Sequence, residues 1–236
     1  METQEINLKV KAGSLLTYSW NVLWDKFITL FLVMLVVWVA YIPMSALSGG
    51  DHNSFLTSIF GTFGFLYFIF IMSPISYSAD FLFLKAIRRA EVDVKRIFEV
   101  FNNYLTVVLA NLLRIAIIGI GFVFLIIPGI VFACRLVLVP YLVMDKHLDP
   151  VKAVEESWRL TSGYGWRIFW MYLVSFFLMI AGLIVLVFGF VIALMWINAA
   201  FASLYQAIIQ ERGEYIVADD ELINLENEPI VTDNNQ

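Results

Sequence analysis

Charged residues, histidine and cysteine are scarce in this sequence, and each shortage excludes a class of protein. Only 15% of the 236 residues are charged and 61% are hydrophobic, whereas a soluble globular chain is about 25% charged. Cys134 is the only cysteine, so no disulfide can form within the chain. The two histidines, His52 and His147, are predicted on opposite sides of the membrane and cannot share a metal ion, and no HExxH, Walker A or GxSxG motif is present. We therefore expect no catalytic residue, no metal, no cofactor and no enzymatic activity.

Lysine and arginine are missing from the C-terminal end of the sequence. Seven acidic residues and no basic residue follow Arg212. The preceding residues are mildly basic, but they contain no isolated basic stripe, which argues against nucleic acid as a partner. We predict a membrane domain over 1–212 and an acidic, disordered cytoplasmic tail over 213–236 that offers a docking segment for a protein partner.

Long apolar runs dominate the rest of the sequence, and its mean hydropathy is +0.83. About 20 apolar residues cross the roughly 30 Å hydrocarbon core of a bilayer as a helix. We therefore predict an all-α, polytopic membrane helix bundle with about six spans. The predicted spans are 27–48, 55–84, 104–127, 129–145, 166–187 and 190–210. Pro74 predicts a kink in the second span, and Gly189 marks the predicted turn between the last two.

The basic residues predict the orientation of these spans. All except Arg114 and Arg135 fall near span ends on one side, and none falls in the opposite loops around 48–53, 128–129 and 189. Because cytoplasmic loops are enriched in Lys and Arg, both termini are predicted to be cytoplasmic. We expect a bacterial inner membrane protein without a removable signal peptide.

Amphipathic segments precede three pairs of spans on the basic side. They cover 12–24, 94–105 and 151–159, and the last is predicted to begin at Asp149–Pro150 and to stop at Gly163. Trp20, Trp24, Trp158 and Trp166 are predicted interfacial anchors. The arrangement suggests three repeats, each an interfacial helix followed by a two-span hairpin, over 8–90, 92–147 and 149–212.

One segment resembles a known family. Its matching residues are Pro128-Gly129, Arg135, Pro140, Asp145, Ala153, Ser157-Trp158 and Thr161. In this arrangement 127–169 resembles the membrane domain of the glycerophosphoryl diester phosphodiesterase membrane-domain family and related bacterial multi-pass membrane proteins. The resemblance implies a membrane domain only. We expect no phosphodiesterase barrel here, and the activity in the family's name is not transferred.

Arg114 and Arg135 are the candidate functional residues, because a charge inside a membrane span is costly unless it is paired or hydrated. Asn111 lies one turn before Arg114, and Asp80 is the only acid clearly within a predicted span. These four residues are candidates for binding a lipid or another anion, since guanidinium grips phosphate bidentately. The alternatives are structural: Arg135 bonding carbonyls freed near Pro128 and Pro140, and Arg114 pairing with Asp80.

Three function classes are compatible with this pattern. The first is a non-enzymatic membrane protein that binds, organises or moves membrane lipids. The second is a small-solute transporter or permease, for which the spans offer little polar lining. The third is a scaffold subunit whose acidic tail or cytoplasmic helices dock a protein partner.

Overall fold

The computed structural model describes residues 10–48, 63–64, 66–184 and 186–212, and every regular element in those ranges is helical. The elements are α1 (Ala12–Asp25), α2 (Phe27–Ser48), α3 (Phe68–Ile87, π-helical over Phe68–Met72), a 3₁₀ helix (Val94–Asn103), α4 (Tyr104–Phe124), α5 (Ile126–Arg135), α6 (Val139–Asp145), α7 (Pro150–Leu160), α8 (Gly165–Ile184) and α9 (Leu186–Glu211). The all-α prediction is confirmed for these ranges. The predicted tail and positions 55–62 of the second predicted span lie outside them.

Five helical segments are long and apolar enough to cross a membrane, and α1 with α2 makes a sixth if that bent pair is one span. The bend between α1 and α2 is 94°. α5 and α6 together form one candidate span, Ile126–Asp145, that is interrupted between Arg135 and Val139. Pro140 explains the interruption, because a proline in a helix removes one backbone hydrogen bond and clashes with the carbonyl four residues earlier.

Three segments form the centre of the bundle. The apolar parts of α3 and of α9 are 61% buried, and that of α5 with α6 is 56% buried, against 28% for the segment that contains α4 and 22% for α8. The helices α4 and α8 therefore lie at the periphery, where exposed apolar side chains suit contact with lipid. Pro74 is the second residue after the π-helical stretch of α3, which agrees with the irregularity expected there.

The turn between the last two long helices lies earlier than the sequence suggested. α8 ends at Ile184 and α9 has already begun at Leu186, so Gly189 belongs to a helix. A Cβ on Gly182 would lie 2.8 Å from the Gly189 carbonyl oxygen. The two glycines therefore serve close packing of antiparallel helices rather than the turn itself.

The amphipathic segments form short helices whose buried faces are narrower than predicted. In the 3₁₀ helix Ile97 and Val100 are buried, as the three-residue period of that helix requires, while Phe98 is exposed. In α7 the predicted apolar stripe faces outward: Trp158 is exposed, while the protein-facing side contains small residues such as Ala153 and Ser157.

Candidate functional site

The structure places Arg114 and Arg135 in different surroundings. Arg135 is the last residue of α5 and lines an open groove. Arg114 lies near the middle of α4 and faces α3, α6 and α8, from which Asp80, Tyr141 and Tyr172 come within electrostatic range. Asn111 is buried one helical turn before Arg114. The candidates therefore separate into one residue at the groove and three in the interior.

Arg135 is held on its backbone side by α7. Its carbonyl oxygen accepts hydrogen bonds from the hydroxyls of Ser157 (2.7 Å) and Thr161 (3.2 Å). Its guanidinium lies over the ring of Trp158, with 5.5 Å from the guanidinium carbon to the ring centroid. Ser157 and Thr161 face the protein on the same side of α7, because residues four apart lie one turn apart. The helix α7 therefore positions both the backbone and the charged group of Arg135.

The Arg135 guanidinium has no hydrogen-bond acceptor in the part of the chain that the structure describes. Its Nη1 atom is buried and has no partner there. The structural alternative, in which Arg135 bonds carbonyls freed near Pro128 and Pro140, therefore finds no support in the described residues. A charged donor without an acceptor is costly in an apolar environment, so an external acceptor is expected at this atom.

The groove beside Arg135 lies between α5 and α8, and we call it the α5–α8 groove. One cleft of about 440 Å³ contains Arg135, and an adjoining cleft of about 300 Å³ extends along α8 to Phe176. The two clefts share Ile130, Cys134 and Phe169. Each volume falls within or near the roughly 300–1,000 Å³ of ligand pockets. The lining is otherwise apolar apart from Tyr172, so the groove suits an occupant with one charged end and a hydrocarbon tail.

Three helices each present two polar residues at i and i+3. The pairs are Tyr77 and Asp80 on α3, Asn111 and Arg114 on α4, and Tyr172 and Ser175 on α8. Residues three apart lie on one face of a helix. Arg114 interacts electrostatically with Tyr77 and Asp80 of α3 and with Tyr172 of α8, so both helices direct polar groups towards it. We call this set of six residues the Arg114 cluster.

The Arg114 cluster contains donors that lack partners. Tyr77 Oη, Asn111 Nδ2, Arg114 Nε and Ser175 Oγ are all buried without a hydrogen bond among the described residues. Tyr77 is near enough to Arg114 for a favourable contact, but the pair does not reach hydrogen-bonding geometry. No Arg114–Asp80 ion pair within 4.0 Å is present in the described ranges. The predicted pairing of these two residues is thus electrostatic at a distance, not a contact.

A third arginine forms a closed network that the sequence did not reveal. Arg88, just after α3, makes a bidentate contact with Asp145 at the end of α6 (2.5 and 2.8 Å) and donates to Gln206 of α9 (2.7 Å). The Tyr205 hydroxyl also donates to Asp145 (2.8 Å). This network joins the ends of α3, α6 and α9. We call this side of the bundle the basic end. Only two features of the sequence pointed to this network: Asp145, which is one of the residues of the family resemblance, and the basic residues that follow α3.

The predicted anchor tryptophans fall into two groups. Trp20 packs against Trp24 and against Trp196 of α9, with ring centroids 5.6 and 4.5 Å apart. Trp158 and Trp166 flank Arg135, since one lies under its guanidinium and the other lines the same cleft. Trp166 is 70% exposed. The second pair therefore belongs to the α5–α8 groove as well as to the surface.

No group of three or more metal-binding side chains occurs in the described ranges. No family model matches the chain, and neither a curated protein nor a solved structure is significantly similar to it. The resemblance of 127–169 to the phosphodiesterase membrane-domain family therefore stays a prediction.

Proposed function

We propose that this protein is a non-enzymatic, multi-pass membrane protein that binds an anionic phospholipid in the α5–α8 groove. The lipid phosphate is held at Arg135, and one acyl chain lies along the groove towards Phe176. The observation that supports the proposal is the buried Arg135 Nη1 atom, which has no protein partner and borders an apolar groove.

The chemistry of Arg135 matches a phosphate. Guanidinium presents parallel N–H donors that fit two phosphate oxygens at once. Trp158 occupies one face of the guanidinium, and a ligand in the cleft that Arg135 lines would approach it from another side. A cation over an aromatic ring gains about 0.5–2 kcal/mol, which keeps the group oriented when the ligand is absent.

The groove matches an acyl chain. Ile127, Val131 and Phe176 are 75%, 45% and 54% exposed, so the groove opens on the outer surface of the bundle, where lipid would surround the protein. A chain can enter from the bilayer without crossing polar surface. The proposal also includes six spans, with α2 as the first crossing after the interfacial helix α1, and cytoplasmic termini in a bacterial inner membrane, as the charge distribution indicates.

The threefold internal plan is part of the proposal. Three segments of short helix followed by long helix support it: α1 with α2, the 3₁₀ helix with α4, and α7 with α8. The junctions differ, since the first is bent by 94° and the second joins a 3₁₀ helix directly to an α-helix. The repeats would therefore share their order of elements and not their detailed geometry.

Native mass spectrometry of the purified protein with added phosphatidylglycerol tests the lipid site. Removing the donors of Arg135 as Arg135→Ala should weaken binding about 10- to 100-fold, since hydrogen bonds to charged groups contribute roughly 1.5–3 kcal/mol. Arg135→Lys keeps the charge but loses the bidentate grip, so an intermediate loss is expected. Lys152→Ala is the matched control, because Lys152 is a 71% exposed cation on the outer side of α7.

Circular dichroism and the unfolding temperature establish that each variant is folded. Equal phosphatidylglycerol occupancy in the wild type and in folded Arg135→Ala would overturn the proposal. Selective loss for Arg135→Ala with Lys152→Ala unchanged supports it. Equal losses for both variants would indicate a general effect of surface charge and would also contradict a specific site.

A further inference from the structure

The Arg114 cluster is separate from the α5–α8 groove, although Tyr172 belongs to both. Arg114 and Asn111 do not line either cleft of the groove. The cluster draws its residues from α3, α4 and α8, and Tyr141 of α6 is within electrostatic range of Asp80, Tyr172 and Arg114. Polar groups of four helices therefore influence one another within the membrane domain.

The unpartnered groups of this cluster all share one chemical property. The hydroxyls of Tyr77 and Ser175, the amide nitrogen of Asn111 and the Nε of Arg114 can each donate a hydrogen bond. A buried donor without an acceptor costs about 1–3 kcal/mol. Because such groups in native proteins are normally satisfied by water or an ion, a site with converging donors favours an occupant that accepts hydrogen bonds.

The charges of the cluster decide which acceptor fits. Arg114 supplies one fixed positive charge, and Asp80 is the carboxyl group within its electrostatic range. The other titratable groups that face Asp80 are Tyr77, Tyr141 and Tyr172, which are neutral near pH 7. With Asp80 ionised the cluster is already neutral, and water suffices. With Asp80 protonated the cluster carries one net positive charge, which one monovalent anion would balance.

We propose that the Arg114 cluster binds one small monovalent anion, of the size of chloride or nitrate, together with one proton on Asp80. The anion accepts hydrogen bonds from Arg114, Asn111 and Tyr77. The proton comes from the aqueous side and balances the charge of the anion. Burying an anion without that proton would leave an uncompensated charge in a low-dielectric interior, which costs several kcal/mol.

A line of polar side chains leads from this site to the basic end. Tyr141 lies within electrostatic range of Asp80 and stacks on Tyr205, with ring centroids 5.1 Å apart. Tyr205 in turn donates to Asp145, which is part of the network at the basic end. We therefore expect the proton to reach Asp80 from the basic end.

Thermal unfolding of the full chain in nanodiscs of phosphatidylcholine, which has no net charge, tests the anion site. Sodium chloride and sodium nitrate are compared with sodium gluconate at equal ionic strength, at pH 6 and pH 8. An anion that binds only the folded protein raises its unfolding temperature. We expect stabilisation by chloride or nitrate at pH 6, with an apparent affinity that falls by up to about tenfold per pH unit as Asp80 ionises.

Two variants separate the anion from the proton. Arg114→Gln should lose the stabilisation by chloride and nitrate at both pH values, whereas Asp80→Asn, which imitates the protonated carboxyl, should keep it and lose its dependence on pH. Lys152→Gln, a change of an exposed cation, should behave like the wild type. If Arg114→Gln does not fold, Asn111→Leu replaces it and should weaken the same stabilisation.

Several results would overturn the inference. An absence of stabilisation by either anion in the wild type at pH 6 would show that water alone satisfies the cluster. An unchanged pH dependence in Asp80→Asn would refute the coupled proton. If added phosphatidylglycerol competes with chloride, the site binds a lipid headgroup and not a small anion. Apart from this competition experiment the samples contain no anionic lipid. The result therefore does not depend on whether Arg135 binds a phospholipid.

Discussion

Arg114 and Arg135 stand in similar sequence surroundings, since each is flanked by apolar residues within a predicted span. In the structure they differ in surroundings. Arg135 ends a ten-residue helix and borders an open groove, whereas Arg114 sits within a 21-residue helix and has polar side chains of three other helices within electrostatic range. The ligand that an intramembrane arginine can reach therefore depends on the helices packed around it, and not on its position along the predicted span.

Arg88 shows what an arginine with a purely structural role looks like in the same protein. Its guanidinium uses three nitrogen atoms, two on Asp145 and one on Gln206. Neither Arg114 nor Arg135 has a comparable set of acceptors among the described residues. The contrast is the reason for assigning ligands to those two arginines.

The largest expected effect concerns Arg114 and stability. Arg114→Ala should destabilise the protein by about 3 kcal/mol near pH 7, because Asp80 loses the countercharge within its reach. The loss should shrink at pH 5, where Asp80 can take up a proton. Equilibrium unfolding in detergent micelles measures both values.

Arg135→Ala serves as the comparison for that experiment. It should lower the free energy of unfolding less than Arg114→Ala does, because water can enter the open groove when the arginine is removed. An equal or larger loss of stability for Arg135→Ala would show that the groove gives Arg135 no better access to water than Arg114 has. The double variant Arg114→Ala with Asp80→Asn should recover part of the stability, and no recovery would show that the two residues are not coupled.

A smaller effect is expected at the basic end. Asp145→Asn should cost about 2 kcal/mol, because the side chain of Asp145 is only 5% exposed and its charge receives bonds from Arg88. The matched change Asp149→Asn removes the exposed, 3.8 Å contact with Lys152 and should cost less than about 0.5 kcal/mol. Unfolding curves of the two variants under one condition give the comparison; similar losses would mean that the network at the basic end contributes little.

The smallest expected effect concerns the contribution of the Trp158 ring to lipid binding at Arg135. Trp158→Leu removes the ring beneath the guanidinium and should weaken phosphatidylglycerol binding about 2- to 5-fold, which corresponds to roughly 0.5–1 kcal/mol. Trp24→Leu is the control, since Trp24 is an exposed aromatic residue on α1 far from Arg135 in sequence and packs on Trp20. Equal loss in both variants, read by native mass spectrometry, would assign the effect to interfacial tryptophans in general.

Composition and periodicity predicted the helical membrane architecture well, because the need for internally satisfied backbone groups leaves an apolar chain few choices. They also singled out Arg114 and Arg135 through the cost of buried charge. The interruption between α5 and α6 was only hinted at by Pro140. The early turn between α8 and α9 was missed because Gly189 was interpreted as a helix breaker, whereas it packs against Gly182.

The makeup of each site could not be predicted, since it depends on which helices are neighbours. The pairs Tyr77–Asp80 and Tyr172–Ser175 are visible at i and i+3 in the sequence, but nothing in it places them opposite Arg114. The groove at Arg135 likewise depends on α8 packing beside α5, more than 30 residues away in the chain at Trp166. Contacts of this kind are set by tertiary packing and have no local signature.

The central claim is that the α5–α8 groove, alone among the exposed apolar surfaces in the described ranges, holds a phospholipid chain whose headgroup is bound by Arg135. Photo-crosslinking with phosphatidylglycerol that contains a diazirine in one acyl chain, followed by peptide mapping, tests it directly. We expect the label to concentrate on peptides that contain Ile130 and Phe169 and to disappear from them in Arg135→Ala. Label spread evenly over exposed residues of α2 and α4, or unchanged in Arg135→Ala, would contradict the account.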